Sequence, residues 1–137
     1  MSAPQSNSGN NVPNGVVPMN PNTALVIDDD RMTRMIHSCH LRALGFQTRE
    51  AENGQVAMQL LESGLRYGVI LMDYEMPIMN GAEATKRIRD MGIQSVILGV
   101  SSISDENIRA SFVRSGLTDL FTKPLARDML IPYSTFV

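Results

Sequence analysis

Side chains suited to phosphoryl chemistry stand at the ends of four short apolar runs in this sequence. Three are carboxylates, one is a hydroxyl and one is an amine: Asp28 and Asp29 follow residues 24–27, Asp73 follows residues 69–72, Ser101 follows residues 96–100, and Lys123 follows residues 120–122. If those runs are parallel strands, all five side chains meet at the carboxyl edge of one sheet, where open α/β sheets bind their ligands. The sequence therefore predicts a site as well as a fold.

The three carboxylates predict a bound cation. Brought together at low effective dielectric, they repel one another by several kcal/mol unless a positive ion lies between them. Oxygen ligands that are few in number and leave room for water favour Mg²⁺ over Zn²⁺. Lys123 and Ser101 add a positive charge and a hydroxyl donor, which a phosphoryl group attached to a carboxylate requires. Asp73 is then the candidate nucleophile.

Each of these residues also has a purely structural interpretation. A lone aspartate at a strand end is more often a helix cap or a turn former than a nucleophile, and Asp30 is predicted to be such a cap. Ser101 could begin the turn into the next helix, and Lys123 could be a solvated lysine before Pro124. The joint placement after separate strands favours a shared site, because unrelated surface residues would not all fall at one edge.

The elements that must position these residues follow from hydrophobic patterning. Short apolar runs alternate with longer amphipathic stretches from residue 24 onward, which predicts five βα units around a parallel sheet. The predicted strands are residues 24–27, 46–51, 69–72, 96–100 and 120–122, and the predicted helices are residues 31–44, 54–62, 82–91, 106–115 and 127–133. Asn53 and Asp105 are predicted N-caps, and Gly45 is a predicted left-handed C-cap. The second strand is the least apolar, and we expect it at an edge of the sheet.

Composition limits the class of protein. A chain of 137 residues with 43% apolar and 19% charged side chains suits one globular domain. The net charge of −2 argues against a nucleic-acid partner, since phosphate backbones call for a basic surface. Cys39 is the only cysteine, which excludes an intrachain disulfide and the four-cysteine zinc patterns. No apolar run is long enough for a membrane helix, and the N-terminus lacks the pattern of a signal peptide. We predict an intracellular protein, in the cytoplasm or the nucleus, with no membrane partner.

Residues 1–22 differ in composition from the rest of the chain. They contain four prolines and six asparagines, few large apolar side chains and no charge, since the first charged residue is Asp28. Such a segment cannot bury enough surface to offset its ordering entropy. We therefore predict a flexible tail over residues 1–22 and the folded domain over residues 23–137.

Taken together, these motifs resemble a response-regulator receiver domain. The resemblance is carried by the Asp28–Asp30 run, the run from Leu71 to Gly81 that reads LMDYEMPIMNG, Ser101, and the pair Lys123-Pro124, and it covers about residues 24–133. It implies an α/β, flavodoxin-like fold: a doubly wound, five-stranded parallel sheet of strand order 2-1-3-4-5 with helices on both faces. It also implies that the Lys123-Pro124 peptide bond is cis.

The resemblance assigns a role to each site residue. Asp73 would accept a phosphoryl group from a phosphohistidine on a histidine kinase or a histidine phosphotransfer protein. Asp28, Asp29 and Asp73 would hold Mg²⁺, joined by the backbone carbonyl of Glu75. Ser101 and Lys123 would contact the phosphoryl oxygens.

Within this family, the sequence most resembles the short stand-alone receivers of plant two-component signalling, such as cytokinin signalling. Residues 76–89, 97–102 and 116–117 carry this likeness. Only the 14 residues 124–137 follow Lys123, enough for one helix and no output domain. We therefore expect a monomer whose output passes through binding or through removal of phosphate.

Three functions stay open at this point. The first is a single-domain receiver that takes phosphate from a histidine phosphotransfer protein through Asp73 and Mg²⁺. The second is an enzymatic one, in which rapid hydrolysis of the acyl phosphate makes the protein a net phosphohistidine phosphatase, or phosphate sink. The third is a binding module that is insensitive to phosphorylation. It is motivated by Leu120, which stands three positions before Lys123, where receivers usually place an aromatic switch residue; Phe121 comes one step later.

Overall fold

Five parallel strands form one sheet in residues 20–134, the part of the chain that the computed structural model describes. The strands are β1 (Thr23–Ile27), β2 (Gln47–Ala51), β3 (Val69–Asp73), β4 (Val96–Ser101) and β5 (Asp119–Thr122), in the order β2-β1-β3-β4-β5. The predicted flavodoxin-like strand order is confirmed, with β2 at an edge. The predicted tail falls almost wholly on residues 1–19, which lie outside the described residues, and it stays a prediction.

Within the described residues, four α-helices and a closing 3₁₀ helix connect and cover the strands. They are α1 (Arg31–Ala43), α2 (Gly54–Glu62), α3 (Gly81–Asp90), α4 (Glu106–Arg114) and the 3₁₀ helix Arg127–Tyr133. The predicted N-caps Asp30, Asn53 and Asp105 each accept a hydrogen bond from a backbone N–H of the first turn. Gly45 has φ 96°, so the predicted left-handed C-cap of α1 is also confirmed. No helix among residues 20–134 has the length and apolar character to cross a membrane.

Most elements differ from their predicted ranges by one residue at an end, and two differences from the prediction have identifiable reasons. Helix α3 begins at Gly81, one residue early, because Asn80 and Glu83 form a capping box in which each side chain accepts from the other's backbone N–H. The last predicted helix is a 3₁₀ helix that contains Pro132, which has no N–H to donate to an α-helical ladder. The 3₁₀ helix is fastened to β5 by the Tyr133 hydroxyl, which donates to Asp119 Oδ2 at 2.6 Å.

The sheet is covered on both faces, as predicted. Helices α2, α3 and α4 pack on one face, and α1 and the 3₁₀ helix pack on the other. Successive residues of a strand point to opposite faces. All five residues of β3 are buried, and its four apolar residues divide between the two cores. A central strand of this kind has no freedom to shift, and it therefore fixes the position of Asp73 at its end.

A close backbone approach ties α3 to the end of β3. The Gly81 N–H donates to the Tyr74 carbonyl at 2.8 Å. A Cβ atom at Gly81 would overlap the backbone carbonyl oxygen of Asp73 and lie 2.9 Å from Tyr74 Cα. Because both obstacles are backbone atoms, only glycine fits at the start of α3.

We expect Gly81→Ala to destabilise the protein by about 3 kcal/mol, the upper range for overpacking, because the β3–α3 connection has to move to admit a methyl group. Gly54→Ala is the matched control, since Gly54 is likewise the first residue of a helix. A methyl group at Gly54 meets the flexible Met79 Sδ at 3.1 Å and Ala84 Cβ at 3.3 Å, so we expect a change within about 1 kcal/mol. Urea unfolding of the two variants checks this, and equal stabilities would contradict it.

Candidate functional site

Three carboxylates meet at the carboxyl edge of the sheet. Strands β1 and β3 are neighbours, with Ile27 paired to Met72, so the residues that follow these two lie side by side. One carboxylate oxygen from each of Asp28, Asp29 and Asp73 lies within 4.8 Å of the other two. Asp28 and Asp73 are 1% and 5% exposed, whereas Asp29 is exposed to solvent. The juxtaposition predicted from the sequence is therefore present.

Lys123 brings the balancing charge to this cluster. Its Nζ atom lies 2.9 Å from Asp73 Oδ1 and 3.1 Å from Asp28 Oδ2. Its backbone N–H donates to the Ser101 carbonyl at 3.0 Å, which continues the pairing of β4 with β5. The Lys123-Pro124 peptide bond is cis, as predicted. One ammonium group thus bridges two of the three carboxylates.

Ser101 and Glu75 lie at the same edge. Ser101 ends β4, one residue after Val100, which pairs with Asp73 of β3, and it is 3% exposed. Its hydroxyl oxygen accepts a hydrogen bond from the Ile103 N–H at 3.0 Å, which holds the oxygen while the hydroxyl proton stays available to an acceptor. Glu75 lies two residues after Asp73 in the β3–α3 loop, with an exposed side chain. The roles assigned to the Ser101 hydroxyl and the Glu75 carbonyl stay predictions.

Burial dominates the electrostatics of Asp73. It raises the pKa of this carboxyl to about 6, and the neighbouring charges of Asp28 and Asp29 act in the same direction, against the hydrogen bond and charge of Lys123. Burial on its own would lower the pKa of Lys123, but the hydrogen bonds and charges of Asp73 and Asp28 outweigh it, so that pKa is raised. At neutral pH the site therefore holds an ionised, poorly solvated carboxylate beside a firmly protonated lysine.

We expect Asp73→Asn to stabilise the metal-free protein at pH 7 by about 3 kcal/mol, because each unit by which the pKa of the folded state exceeds the ordinary value costs 1.36 kcal/mol once the group is ionised. The pKa of Asp73 is raised, from 3.8 to about 6. The cost of ionisation therefore grows between pH 4 and pH 6 and is absent below pH 4.

Unfolding of wild type and Asp73→Asn in chelator at pH 4 and pH 7 measures this effect. The difference between the two proteins should be small at pH 4 and large at pH 7. A destabilised variant at pH 7 would contradict the prediction, since it would mean that the ion pair with Lys123 outweighs desolvation.

The donor set fits Mg²⁺. The atoms that converge are all carboxylate oxygens, which hard divalent cations prefer. Three carboxylates and one ammonium leave the cluster with two negative charges, which a divalent ion would neutralise. Asp29 faces solvent, so the site also has room for the water ligands that Mg²⁺ retains.

Leu120, at the position of the usual switch aromatic, and Phe121, one step later, lie on opposite faces of β5. Leu120 is half-buried and packs against the core cluster under α2, α3 and α4. Phe121 lies on the other face of β5, where its ring meets Tyr133 edge-on with centroids 6.3 Å apart. Because alternate strand residues face opposite ways, Phe121 cannot take over a role that belongs to position 120.

Sequence reasoning missed one residue of this region, Arg34. Its guanidinium reaches the backbone carbonyl of Asp28 at 2.8 Å and Glu50 Oε1 at 3.2 Å. The available signal was an arginine one turn into the helix that follows the aspartates, together with a glutamate near the end of the neighbouring strand. Neither residue is informative until β1 and β2 are known to be neighbours.

A five-stranded parallel sheet in this order, with an acidic cluster and a lysine at its carboxyl edge, defines the class of CheY-like signalling domains. The chain belongs to the response regulator receiver domain family, which it matches over residues 24–133. Similar solved structures include the Francisella response regulator 1452 receiver domain, with 28% identity, TM-score 0.73, and coverage of 81% of this chain and 91% of that one. Vibrio cholerae chemotaxis protein CheY4 is another, with 25% identity, TM-score 0.74, and coverage of 84% and 95%.

The curated relatives include plant proteins of similar length. Two-component response regulator 24 of Arabidopsis thaliana is 44% identical over 109 residues, which are 80% of this chain and 78% of the relative. Two-component response regulator ORR41 of Oryza sativa is 38% identical over 109 residues, which are 77% of this chain and 86% of the relative. The matched region makes up most of the length of each of these two plant response regulators.

Proposed function

We propose that this receiver takes a phosphoryl group from a phosphohistidine onto Asp73, with a histidine phosphotransfer protein or a histidine kinase as donor. The observation that carries the proposal is the Lys123 ammonium 2.9 Å from Asp73 Oδ1 and 3.1 Å from Asp28 Oδ2. A buried carboxylate can act as the nucleophile, and the fixed cation beside it would balance the negative charge of the acyl phosphate that forms. Asp28, Asp29, Asp73 and the Glu75 carbonyl would hold Mg²⁺.

The proposed reaction exchanges one phosphorus bond for another. An oxygen of the Asp73 carboxylate attacks the phosphorus of the phosphohistidine, and a P–O bond forms as the P–N bond breaks. The electron pair of the P–N bond stays on the imidazole nitrogen, which takes a proton from water. Lys123 then pairs with the transferred phosphoryl group, and the Ser101 hydroxyl donates to it. Bound Mg²⁺ supplies further charge neutralisation on the phosphoryl oxygens.

Protonation supports this role for Asp73. A pKa of about 6 leaves the carboxylate ionised, and therefore nucleophilic, at neutral pH. A cation at Asp28 and Asp29 would favour the ionised form further, because it opposes the repulsion that now raises the pKa. With Mg²⁺ bound, transfer should accordingly weaken only at a pH below 6, where Asp73 becomes protonated.

The experiment follows radiolabel from a phosphorylated histidine phosphotransfer protein to this chain over time in the presence of Mg²⁺. Label that accumulates on the chain is the result expected for a phosphate-accepting receiver. Label that leaves the donor as free phosphate at substoichiometric amounts of the chain would instead establish a phosphohistidine phosphatase or phosphate sink. A donor that keeps its label would contradict both and leave a binding module.

A phosphorylation-insensitive module is the second candidate, and Leu120 is the observation that favours it. This half-buried side chain packs against the core under α2, α3 and α4, and no aromatic ring replaces it on that face of β5. Partner affinity measured with and without a beryllofluoride adduct of the chain decides the point. Equal affinities would favour the insensitive module, and unequal affinities would favour a phosphorylation-dependent output by the monomeric domain.

A further inference from the structure

Arg34 connects the metal-binding end of β1 to the neighbouring strand. It lies in the first turn of α1, and its side chain is only 15% exposed. Its Nη1 atom donates to the Asp28 carbonyl at 2.8 Å, and its Nε atom donates to Glu50 Oε1 at 3.2 Å. The Ser38 hydroxyl donates to the other oxygen of Glu50 at 3.2 Å. Two nitrogens of the guanidinium thus have fixed partners, and one of these partners, Glu50, is in turn oriented by Ser38.

The backbone of Asp28 is fixed on both sides by this arrangement. Its N–H donates to the Ala51 carbonyl of β2 at 3.2 Å, and its carbonyl accepts from Arg34. The side chain accepts from the Asp30 N–H at 2.9 Å and from Lys123 Nζ at 3.1 Å. Since β1 ends at Ile27, Asp28 is already outside the strand ladder, and the bond from Arg34 takes the place of a ladder bond to its carbonyl.

We infer that Arg34, held by Glu50, is a positioning residue for the divalent cation: it sets the backbone of Asp28 so that the carboxylate points into the site. The inference rests on the proposed function, since it presupposes that Asp28 binds Mg²⁺. Groups that orient metal ligands affect metal affinity strongly although they never touch the ion. Arg34 does not face the reacting atoms, and it acts only through Asp28.

The sign of the effect separates positioning from simple electrostatics. Arg34 carries a positive charge near a cation site, so an electrostatic role alone predicts tighter Mg²⁺ binding when that charge is removed. Positioning predicts weaker binding, because Asp28 loses the contact that orders it. The two accounts therefore differ in direction.

Calorimetric titration of Mg²⁺ into the full chain tests the inference on wild type, Arg34→Gln, Arg34→Lys and Arg42→Gln. We expect the Kd of Arg34→Gln for Mg²⁺ to rise about 10-fold. Arg34→Lys keeps the charge, but the single nitrogen of lysine cannot reproduce the planar fork by which Nη1 and Nε of Arg34 contact Asp28 and Glu50 separately, so a smaller rise is expected. Arg42 lies on the same helix and bonds Thr48 of the same strand β2 at 3.0 Å, and its replacement should change the Kd by less than about 2-fold.

Thermal unfolding in chelator accompanies each titration, so that loss of the fold is recognised. If Arg34→Gln does not fold, the Mg²⁺ Kd of Arg34→Lys is compared with that of Arg42→Gln, and a higher Kd for Arg34→Lys supports the inference. Unchanged or tighter Mg²⁺ binding in folded Arg34 variants would overturn the inference while leaving the proposed function intact. A wild-type chain that binds no Mg²⁺ would refute the metal site itself, and the inference with it.

Discussion

Replacing Asp73 with asparagine is expected to reduce phosphoryl acceptance to the background of the assay, at least about 10³-fold, since removal of a covalent nucleophile is among the largest single effects in enzymes. The amide keeps the size of the carboxylate and can still accept from Lys123, but it cannot form an acyl phosphate. The measurement is radiolabel transfer from the phosphorylated donor in the presence of Mg²⁺.

The matched control for that experiment is Asp90→Asn. Asp90 is an exposed aspartate on α3, paired with Lys86 at 3.3 Å, and its replacement removes the same charge away from the site. We expect full acceptance in this variant. Because Asp73→Asn is also expected to be more stable than wild type, loss of acceptance cannot be ascribed to unfolding. Normal label on Asp73→Asn would show that another residue accepts the phosphoryl group.

The second large effect concerns the cation. We expect Asp29→Asn to need about 10- to 100-fold more Mg²⁺ for half-maximal phosphoryl transfer, because it removes one of three converging carboxylates. Asp29 is the residue to replace because it is exposed, whereas Asp28 also accepts from Lys123 and from the Asp30 backbone. Transfer rates over a series of Mg²⁺ concentrations, after treatment with chelator, measure the change.

Asp30→Asn is the control for the Mg²⁺ series. It removes the same charge one residue along the chain, and asparagine caps a helix as well as aspartate does. Its Mg²⁺ dependence should follow that of wild type. If Asp29→Asn and Asp30→Asn shift the Mg²⁺ dependence equally, the effect would be one of general charge, and the assignment of Asp29 as a ligand would be wrong.

Much of the fold was predictable because the local signals agree with one another. Residues 69–72 form a continuous apolar run, and the structure buries them on both faces in the centre of the sheet. Asp30, Asn53 and Asp105 stand directly before amphipathic stretches and cap the helices there. In each case the local preference of the residues and their packing in the folded domain favour the same strand or helix.

The candidate site was predictable in its members and less so in its geometry. Parallel strands that end at Asp28 and Asp73 must bring these residues to one edge. Lys123 lies within 3.1 Å of both carboxylates. This placement depends on the pairing of β4 with β5 and on the path of the chain after Thr122. Such distances are properties of the assembled sheet and have no local sequence signal.

The features that sequence reasoning missed all depend on contacts over long separations or on competing local rules. Arg34 and Glu50 lie 16 residues apart and meet only because Val26 of β1 pairs with Glu50 of β2. The Asn80-Gly81 pair is typical of a turn, but Asn80 also forms a capping box with Glu83, and α3 therefore begins one residue earlier than predicted. In the last helix, Pro132 competed with an otherwise helical pattern and the 3₁₀ form resulted.

The cost of burying Asp73 connects the stability of the protein to its proposed function. A surface aspartate would cost nothing to ionise, but it would also lack the fixed neighbours that compensate a transferred phosphoryl group. Here burial raises the pKa of Asp73 to about 6, so the folded metal-free protein is less stable at neutral pH than a variant with a neutral side chain should be. Both effects arise from the same 5% exposure of the Asp73 side chain.

The most direct measurement of the central claim locates the phosphoryl group itself. After transfer from the phosphorylated donor with Mg²⁺, borohydride reduces an aspartyl phosphate to homoserine, which mass spectrometry of the peptides identifies by position. We expect homoserine at residue 73, dependent on the donor and on Mg²⁺. A chain that carries label but has unmodified Asp73, with phosphate on a serine or a histidine instead, would contradict it.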